Sequence, residues 1–383
     1  MARKMTLQSM APVPLEQLHQ PDAFLDGSTG INRGEGHCQL GATDDLSAVH
    51  AWLNEFVDSP QTLRSYRKEA ERLLLWCWLE RGKALSDLQR EDLQRYQQFL
   101  QSPLPQERWC GPRAPRHSPE WRPFQAPVSA ASQAQALNIL NSLFTYLVTA
   151  GYLAGNPMGL ARRRVKGVNR STPEAVSRYL DHALWQLVWK HIEGLPTTSV
   201  RERDRAERLR YLFSLLYHLG PRVSELATHN MGSLREVRGR WWWFVVGKGN
   251  KPAKVPVSPA CMLAVRRFRT YLGWSPEPTM DDEKPLMPSQ KGTRSVSANM
   301  IYRLVKELFI EVAEVIESNQ PDYARTLRRA STHWMRHTAI THLADKQIDI
   351  RFVNKTARHE KLETTAIYLH AEDDAWHDAV SRD

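Results

Sequence analysis

Ser331-Thr332-His333-Trp334-Met335-Arg336-His337-Thr338, followed by Ala357-Arg358-His359 and Ala366-Ile367-Tyr368, brings imidazoles, a guanidinium and a phenol together near the end of the chain. This is a set suited to holding a phosphate, with a nucleophile among its members. Ser331 is a good N-cap, and Trp334, Ile340, Leu343 and Ala344 have the spacing of one buried helical face. His333 and Arg336 are three apart and project to the same side near the helix start. A helix N-terminus favours an anion, and a guanidinium beside it adds a bidentate donor.

Zinc is the competing reading. His333 and His337 have the i, i+4 spacing of a metalloprotease helix, with His342 nearby, but Trp334 stands where that motif needs its glutamate. No third ligand follows at a suitable spacing, so no metal is expected. Standing alone, the stretch would also read as surface histidines with a salt-bridging arginine.

The chain has 383 residues, enough for two domains with sizeable cores, and its formal net charge of +10 points to a polyanionic partner, nucleic acid before membrane. Cys38, Cys77, Cys110 and Cys261 are far apart, which suggests neither a zinc knuckle nor a disulfide framework. No apolar run is long enough to cross a bilayer and the N-terminus lacks the apolar core of a signal peptide, so a cytoplasmic protein is expected.

Residues 1–43 lack sustained periodicity and read as an N-terminal, flexible extension. Residues 44–160 read as a helical DNA-binding domain. Its helices are expected over 46–56 (capped by Asp44 or Asp45), after Ser59-Pro60, over 90–100 and over 129–148. Within it, 103–127 is proline-rich and reads as a solvated insertion loop. Arg64, Arg67 and Lys68 on the second helix suit phosphate contact, as do Arg162, Arg163 and Arg164 in a basic linker over 161–176. From 177 to 383 a second domain is expected. It has helices over 181–191, 207–219, 261–272 and from Ser297, a hairpin pairing 241–246 with 253–257, a short apolar helix ending near Ala357, and an amphipathic tail helix over 371–383. Leu219-Gly220-Pro221-Arg222 reads as a helix stop, a proline in the first turn of the next helix, and an exposed arginine supported by Glu225. Lys248 sits at the hairpin tip.

Gly220-Pro221-Arg222-Val223-Ser224-Glu225, the Gly247-Lys248-Gly249-Asn250-Lys251 turn, His333-x-x-Arg336-His337, His359 and Tyr368, in this order and spacing, resemble the tyrosine recombinase (phage integrase) family. The resemblance covers the C-terminal half with specific motifs. The N-terminal half is similar, more loosely, to the family's core-binding domain. Two positions depart from the family pattern: Ala357-Arg358 stand where Leu-Gly is usual, and Pro221 replaces an apolar residue.

The resemblance implies a mainly α fold with a small antiparallel β-sheet, a helical core-binding domain and an α+β catalytic domain forming a C-clamp around DNA. It implies a site-specific recombinase in which Arg222 and Arg336 clamp the phosphate and Lys248 protonates the leaving oxygen. His333 and His359 assist, and Tyr368 forms a 3′-phosphotyrosine. Strand exchange would pass through a Holliday junction, with no metal, ATP or other cofactor. Implied partners are double-stranded DNA with inverted-repeat core sites, further copies of the chain in a tetramer on two sites, and an accessory DNA-binding protein. The setting implied is the bacterial cytoplasm, associated with the nucleoid. A type IB topoisomerase-like nicking-closing enzyme and a non-catalytic DNA-binding regulator are the alternatives.

Overall fold

The computed structural model describes residues 11–18, 24–160, 178–247, 251–290, 292–346 and 348–358. Arg162, Arg163, Arg164, Lys248, His359 and Tyr368, with the linker 161–176 and the tail 371–383, lie outside the described residues. The chain divides into two compact units, 1–168 and 169–383. Its secondary structure is mainly helical with one three-stranded antiparallel sheet. Among the described residues, no helix is long and apolar enough to cross a membrane.

In the first unit, α1 (Asp45–Asn54), α2 (Pro60–Trp76), α3 (Arg90–Gln101) and α4 (Ala130–Thr149) surround a core of Trp52, Leu74, Tyr96, Leu140 and Phe144. Asp44 starts α1 through a reciprocal capping box with Ser47. Ser59 precedes Pro60, whose fixed φ suits the first helical position of α2. The α2 helix continues into a π-helical turn over Cys77–Arg81.

Two expectations for this unit are corrected. The N-terminal segment is not a free arm where it is described. Leu15 and Leu25 are buried, Gly34 N–H donates to the Tyr152 carbonyl (3.0 Å), Gln39 N–H donates to Ala150 (2.8 Å), and Arg33 pairs with Leu153 in an isolated bridge. Backbone bonds hold it, which is why no apolar period announces it. The 103–127 segment is likewise no solvated insertion. Trp109 and Phe124 are fully buried, linked by a Phe124 N–H to Trp109 carbonyl bond of 3.1 Å, and the Arg72 guanidinium lies 4.2 Å over the Phe124 ring. Its prolines exclude a long helix, and aromatic burial anchors it instead.

The second unit is built around α6 (Val200–Leu219), whose Tyr211, Phe213 and Leu216 are buried. Around it pack α5 (His182–Glu193), α8 (Pro259–Tyr271), α9 (Ala298–Ile316), α10 (Pro321–Arg329) and α11 (Thr332–Ala344). Helix α6 begins earlier than its apolar residues suggest, because Ser199 and Glu202 form a capping box ahead of a charged first turn. Gly220, at φ +53°, ends it; a Cβ there would stand 3.4 Å from the Ala339 side chain on α11, so the turn lies close against that helix. Then come α7 (Val223–Thr228) and strands β1 (Leu234–Val237), β2 (Arg240–Val246) and β3 (Pro252–Pro256), in the order β1-β2-β3. Trp243 is fully buried and sits opposite both Leu234 and Val255. Helix α12 (Ile350–Ala357) buries Val353 and Ala357 while Phe352 is exposed, so its apolar face is narrower than its composition suggests.

Candidate active site

Arg222 is the N-cap of α7 rather than an arginine behind a first-turn proline; Pro221 lies just outside the helix. The pair Arg222–Glu225 starts that helix. Glu225 Oε2 accepts from the Arg222 backbone N–H (2.7 Å) and Oε1 accepts from Arg222 Nη1 (3.1 Å). The Glu225 side chain is only 4% exposed while that of Arg222 is 36% exposed, so the carboxylate is a buried anchor and the guanidinium faces outward from it.

Arg336 departs from the sequence expectation. It is buried, and α11 turns it inward: Nη1 donates to the Gly220 carbonyl at 2.5 Å and Nη2 donates to the Ala357 carbonyl. One side chain therefore ties the end of α6, the body of α11 and the end of α12. The buried face of α11 also includes Met335, Thr338, Ile340 and Ala344, with Trp334 and Leu343 only half-buried. Ser331 is the N-cap of α11 but makes no side-chain cap bond.

His333 is exposed on the same helix, its Nε2 2.7 Å from Nε2 of His337, so one ring donates a proton to the other. Desolvation, then the positive charges of Arg336, Arg178 and Arg222, hold the His333 pKa below its ordinary value. Arg222 follows Gly220 by two residues and Arg336 holds the Gly220 carbonyl, so the two expected arginines meet at that turn, with His333 three residues before Arg336 on α11. Such a cluster of guanidiniums with a neutral imidazole suits an oxyanion that must also exchange a proton.

The residues flanking the undescribed positions border this cluster. Gly247, immediately before Lys248, lies against the Arg222–Glu225 pair: a Cβ there would be 3.7 Å from Glu225 Oε1 and 3.8 Å from Arg222 Nη1. Arg358, immediately before His359, adopts φ +53° at the end of α12 and donates from Nη2 to Glu225 Oε2 at 2.7 Å. A left-handed conformation costs a residue with a Cβ about 1–2 kcal/mol. Burial lowers the Arg358 pKa, Glu225 opposes that, and the Arg222 charge adds to it.

Sequence reasoning missed His229. The Val246 N–H donates to its Nε2 (3.0 Å), so Nδ1 carries the proton and donates to the Glu225 carbonyl (2.8 Å). It thereby pins the end of β2, two residues before Lys248 in sequence, to α7. Nothing in Thr228-His229-Asn230 signals this; only the return of β2 past α7 creates it.

Among the described residues, no third potential ligand lies with the His333–His337 pair. Among the described residues, the three potential metal ligands that lie together are His182, His342 and Asp345. There the imidazoles of His182 and His342 stack 3.6 Å apart at 13°, and nearly parallel rings cannot direct both lone pairs at one ion. His342 Nδ1 meets the Tyr217 hydroxyl at 3.1 Å.

Of the expected DNA contacts, Arg64 is exposed on α2, Arg67 pairs with Glu16 at 2.8 Å, and Lys68 pairs with Glu69 at 2.8 Å. The half-exposed Arg67–Glu16 pair is worth about 0.2–1 kcal/mol, little enough for a phosphate to displace it, whereas Glu69 is buried and also pairs with Arg72.

Residues 192–375 match the family model described as the phage integrase family. A tyrosine recombinase XerC from Thermodesulfovibrio yellowstonii is 30% identical over 247 residues, covering 64% of this chain and 72% of that protein. XerD from Rhizobium meliloti is 26% identical over 345 residues, covering 88% and 95%. Among solved structures, the XerH site-specific recombinase bound to palindromic difH substrate has a TM-score of 0.60 at 17% identity, covering 97% of this chain and 99% of that one. The Tn1549 transposon integrase in complex with transposon right end DNA has a TM-score of 0.59 at 15% identity, covering 88% and 98%; both likenesses concern the fold. A motif order that resembles one family, a fold shared with its solved members and these identities agree: the chain is a tyrosine recombinase and belongs to the phage integrase family.

Proposed function

We propose that this site-specific DNA recombinase cleaves and rejoins duplexes through a 3′-phosphotyrosine on Tyr368, exchanging strands by way of a Holliday junction without metal or ATP. The observation that carries this reading is the convergence of Arg222, Arg336 and His333 around the Gly220 turn, bordered by the residues that precede Lys248 and His359. Two guanidiniums supply the positive charge that the nonbridging oxygens need as phosphorus is attacked. The Tyr368 oxygen forms the new bond to phosphorus and loses its proton to His333 or His359. The bond to the 5′-oxygen breaks, and Lys248 gives that oxygen a proton. Because the ester energy is kept in the tyrosine link, rejoining reverses the step without an external energy source.

Denaturing wild-type cells rapidly and sequencing the DNA left attached to the protein tests this reading and supplies the site for the substrates below. With that site in a supercoiled plasmid, relaxation without a branched four-strand intermediate would instead favour a nicking-closing enzyme. On a suicide duplex, Lys248→Ala is expected to slow cleavage about 10²–10⁴-fold, the usual range for a lost general acid. A 5′-bridging phosphorothiolate, whose sulfur leaves without protonation, should restore it. No rescue would mean that Lys248 positions the phosphate instead. Chelation of divalent metal should leave wild-type cleavage unchanged.

The first unit and linker are proposed to grip DNA by its phosphates, through Arg64, Arg67, Lys68, Arg162, Arg163 and Arg164. Replacing the three linker arginines with alanine should weaken specific and random duplex about equally. It should also reduce the slope of log affinity against log salt by about 0.9 per lost phosphate contact. A loss confined to the specific site would mean base readout. The palindromic substrate of the XerH complex supports inverted-repeat core sites as the partner. Four copies of the chain would then assemble on two sites, coupled through the tail 371–383 and aided by an accessory DNA-binding protein, in the cytoplasm with the nucleoid.

A further inference from the structure

Glu225 serves two arginines. Its Oε1 accepts from Arg222 Nη1 at 3.1 Å, while its Oε2 accepts from the Arg222 backbone at 2.7 Å and from Arg358 Nη2 at 2.7 Å. The carboxylate and the Arg358 side chain are 4% and 7% exposed. Among the described residues, one negative charge therefore faces two positive ones, and water screens little around the Glu225–Arg358 pair.

Arg358 is an uneconomical residue for the unliganded fold. Its backbone is left-handed, a conformation that glycine takes without strain. Its Nε and Nη1 are buried with no hydrogen-bond partner among the described residues. The guanidinium lies 5.3 Å over the Trp243 ring, a contact that holds its plane without satisfying those donors. The adjoining Ala357 carbonyl accepts from Arg336, so the end of α12 touches one of the arginines proposed to hold the phosphate directly and reaches the other, Arg222, through Glu225. Backbone strain and orphaned donors at a functional site point to a role beyond packing.

We propose that Arg358 is a positioning residue for DNA cleavage: by occupying one oxygen of Glu225 it leaves Arg222 only partly neutralised and aimed at the scissile phosphate. In its absence Glu225 is free to take Arg222 as a bidentate pair, and the guanidinium turns away from the DNA. This rests on the reading of Arg222 as a phosphate clamp.

The test is single-turnover cleavage of a suicide duplex carrying the sequence recovered from wild-type adducts, with full-length protein at saturation. Arg358→Gly relieves the left-handed strain, so its thermal midpoint should not fall. Its cleavage rate should drop about 10–100-fold, a partial loss of one electrostatic contact, with half-saturation within about twofold of wild type. Arg358→Lys, which keeps a charge on Glu225, should recover most of the rate. In an Arg222→Lys background, Arg358→Gly should change the rate less than about twofold, because the two act in series. The proposal is overturned if Arg358→Gly cleaves within about twofold of wild type, or if its loss is undiminished in the Arg222→Lys background. A loss that follows melting or DNA affinity overturns it as well. Wild type that forms no adduct on this duplex would overturn the phosphate-clamp reading and this one together, whereas cleavage by wild type and Arg358→Gly alike overturns this one alone.

Discussion

Tyr368→Phe should abolish every covalent protein–DNA adduct while leaving specific duplex binding within about threefold of wild type, since a single hydroxyl carries little of the ground-state affinity. The expected loss of cleavage is about 10⁴-fold or more, because the variant lacks the oxygen proposed to make the new bond to phosphorus. Two tyrosines of the same unit are already committed. The Tyr211 hydroxyl is buried and donates to the Leu286 carbonyl at 2.9 Å, and the Tyr217 hydroxyl meets His342 Nδ1 at 3.1 Å. Gel analysis of a suicide duplex after denaturation reads the adduct, and a filter or mobility assay reads binding. Adduct from the phenylalanine variant would make Tyr368 the wrong nucleophile, whereas loss of binding in step with adduct would make it a DNA-contact residue.

How far the fold could be read from the residues depended on how each element is held. Helices whose apolar stripe meets the core, such as α2, α4 and α9, and caps such as Asp44, Ser129, Asp181 and Ser297, lie within one or two residues of their expected places. The start of α6 did not announce itself through periodicity, since Arg201 to Arg205 alternate in charge ahead of the apolar run; Ser199 with Glu202 was the legible signal. Strand β1 is short and needs β2 as a partner, and the Arg238-Gly239 turn that joins them takes positive φ at both residues. The N-terminal strap and the Trp109–Phe124 contact depend on bonds between residues far apart in sequence, which no local window contains.

The site shows the same division. The order of the candidate site residues and the support of Arg222 by Glu225 are sequence-level features, the latter because i and i+3 at a helix start are neighbours whatever surrounds them. Helix spacing alone could not show that Arg336 turns inward to two carbonyls, that His229 pins β2 to α7, or that Arg358 reaches Glu225 across the sheet face. Each of these is set by the approach of α12 and the sheet to the Gly220 turn. The departure of Ala357-Arg358 from the family pattern was visible in the sequence, and its consequence was not.

Because Arg336 anchors the fold as well as being proposed to hold the phosphate, Arg336→Ala should lose more than Arg222→Ala. Arg336 is 5% exposed and donates to the Gly220 and Ala357 carbonyls. Truncation removes two hydrogen bonds from a charged donor and leaves both carbonyls without it, a destabilisation of about 3 kcal/mol or more. In a unit of this size that lowers the melting midpoint by about 6–12 °C. Arg222 is 36% exposed and its partner Glu225 keeps Arg358. Arg222→Ala should therefore shift the midpoint by less than about 3 °C while cutting cleavage about 10²–10³-fold, the range for one lost transition-state donor. Arg336→Lys separates the two roles: an ammonium can reach one carbonyl and restores part of the stability, but it lacks the planar fork and should cleave almost as poorly as alanine. Scanning calorimetry of the three variants beside suicide-duplex cleavage decides the matter. If Arg336→Ala melts with wild type, the carbonyl anchor does not hold α6, α11 and α12 together; if Arg336→Lys cleaves at the wild-type rate, a point charge is enough and the fork has no part in the reaction.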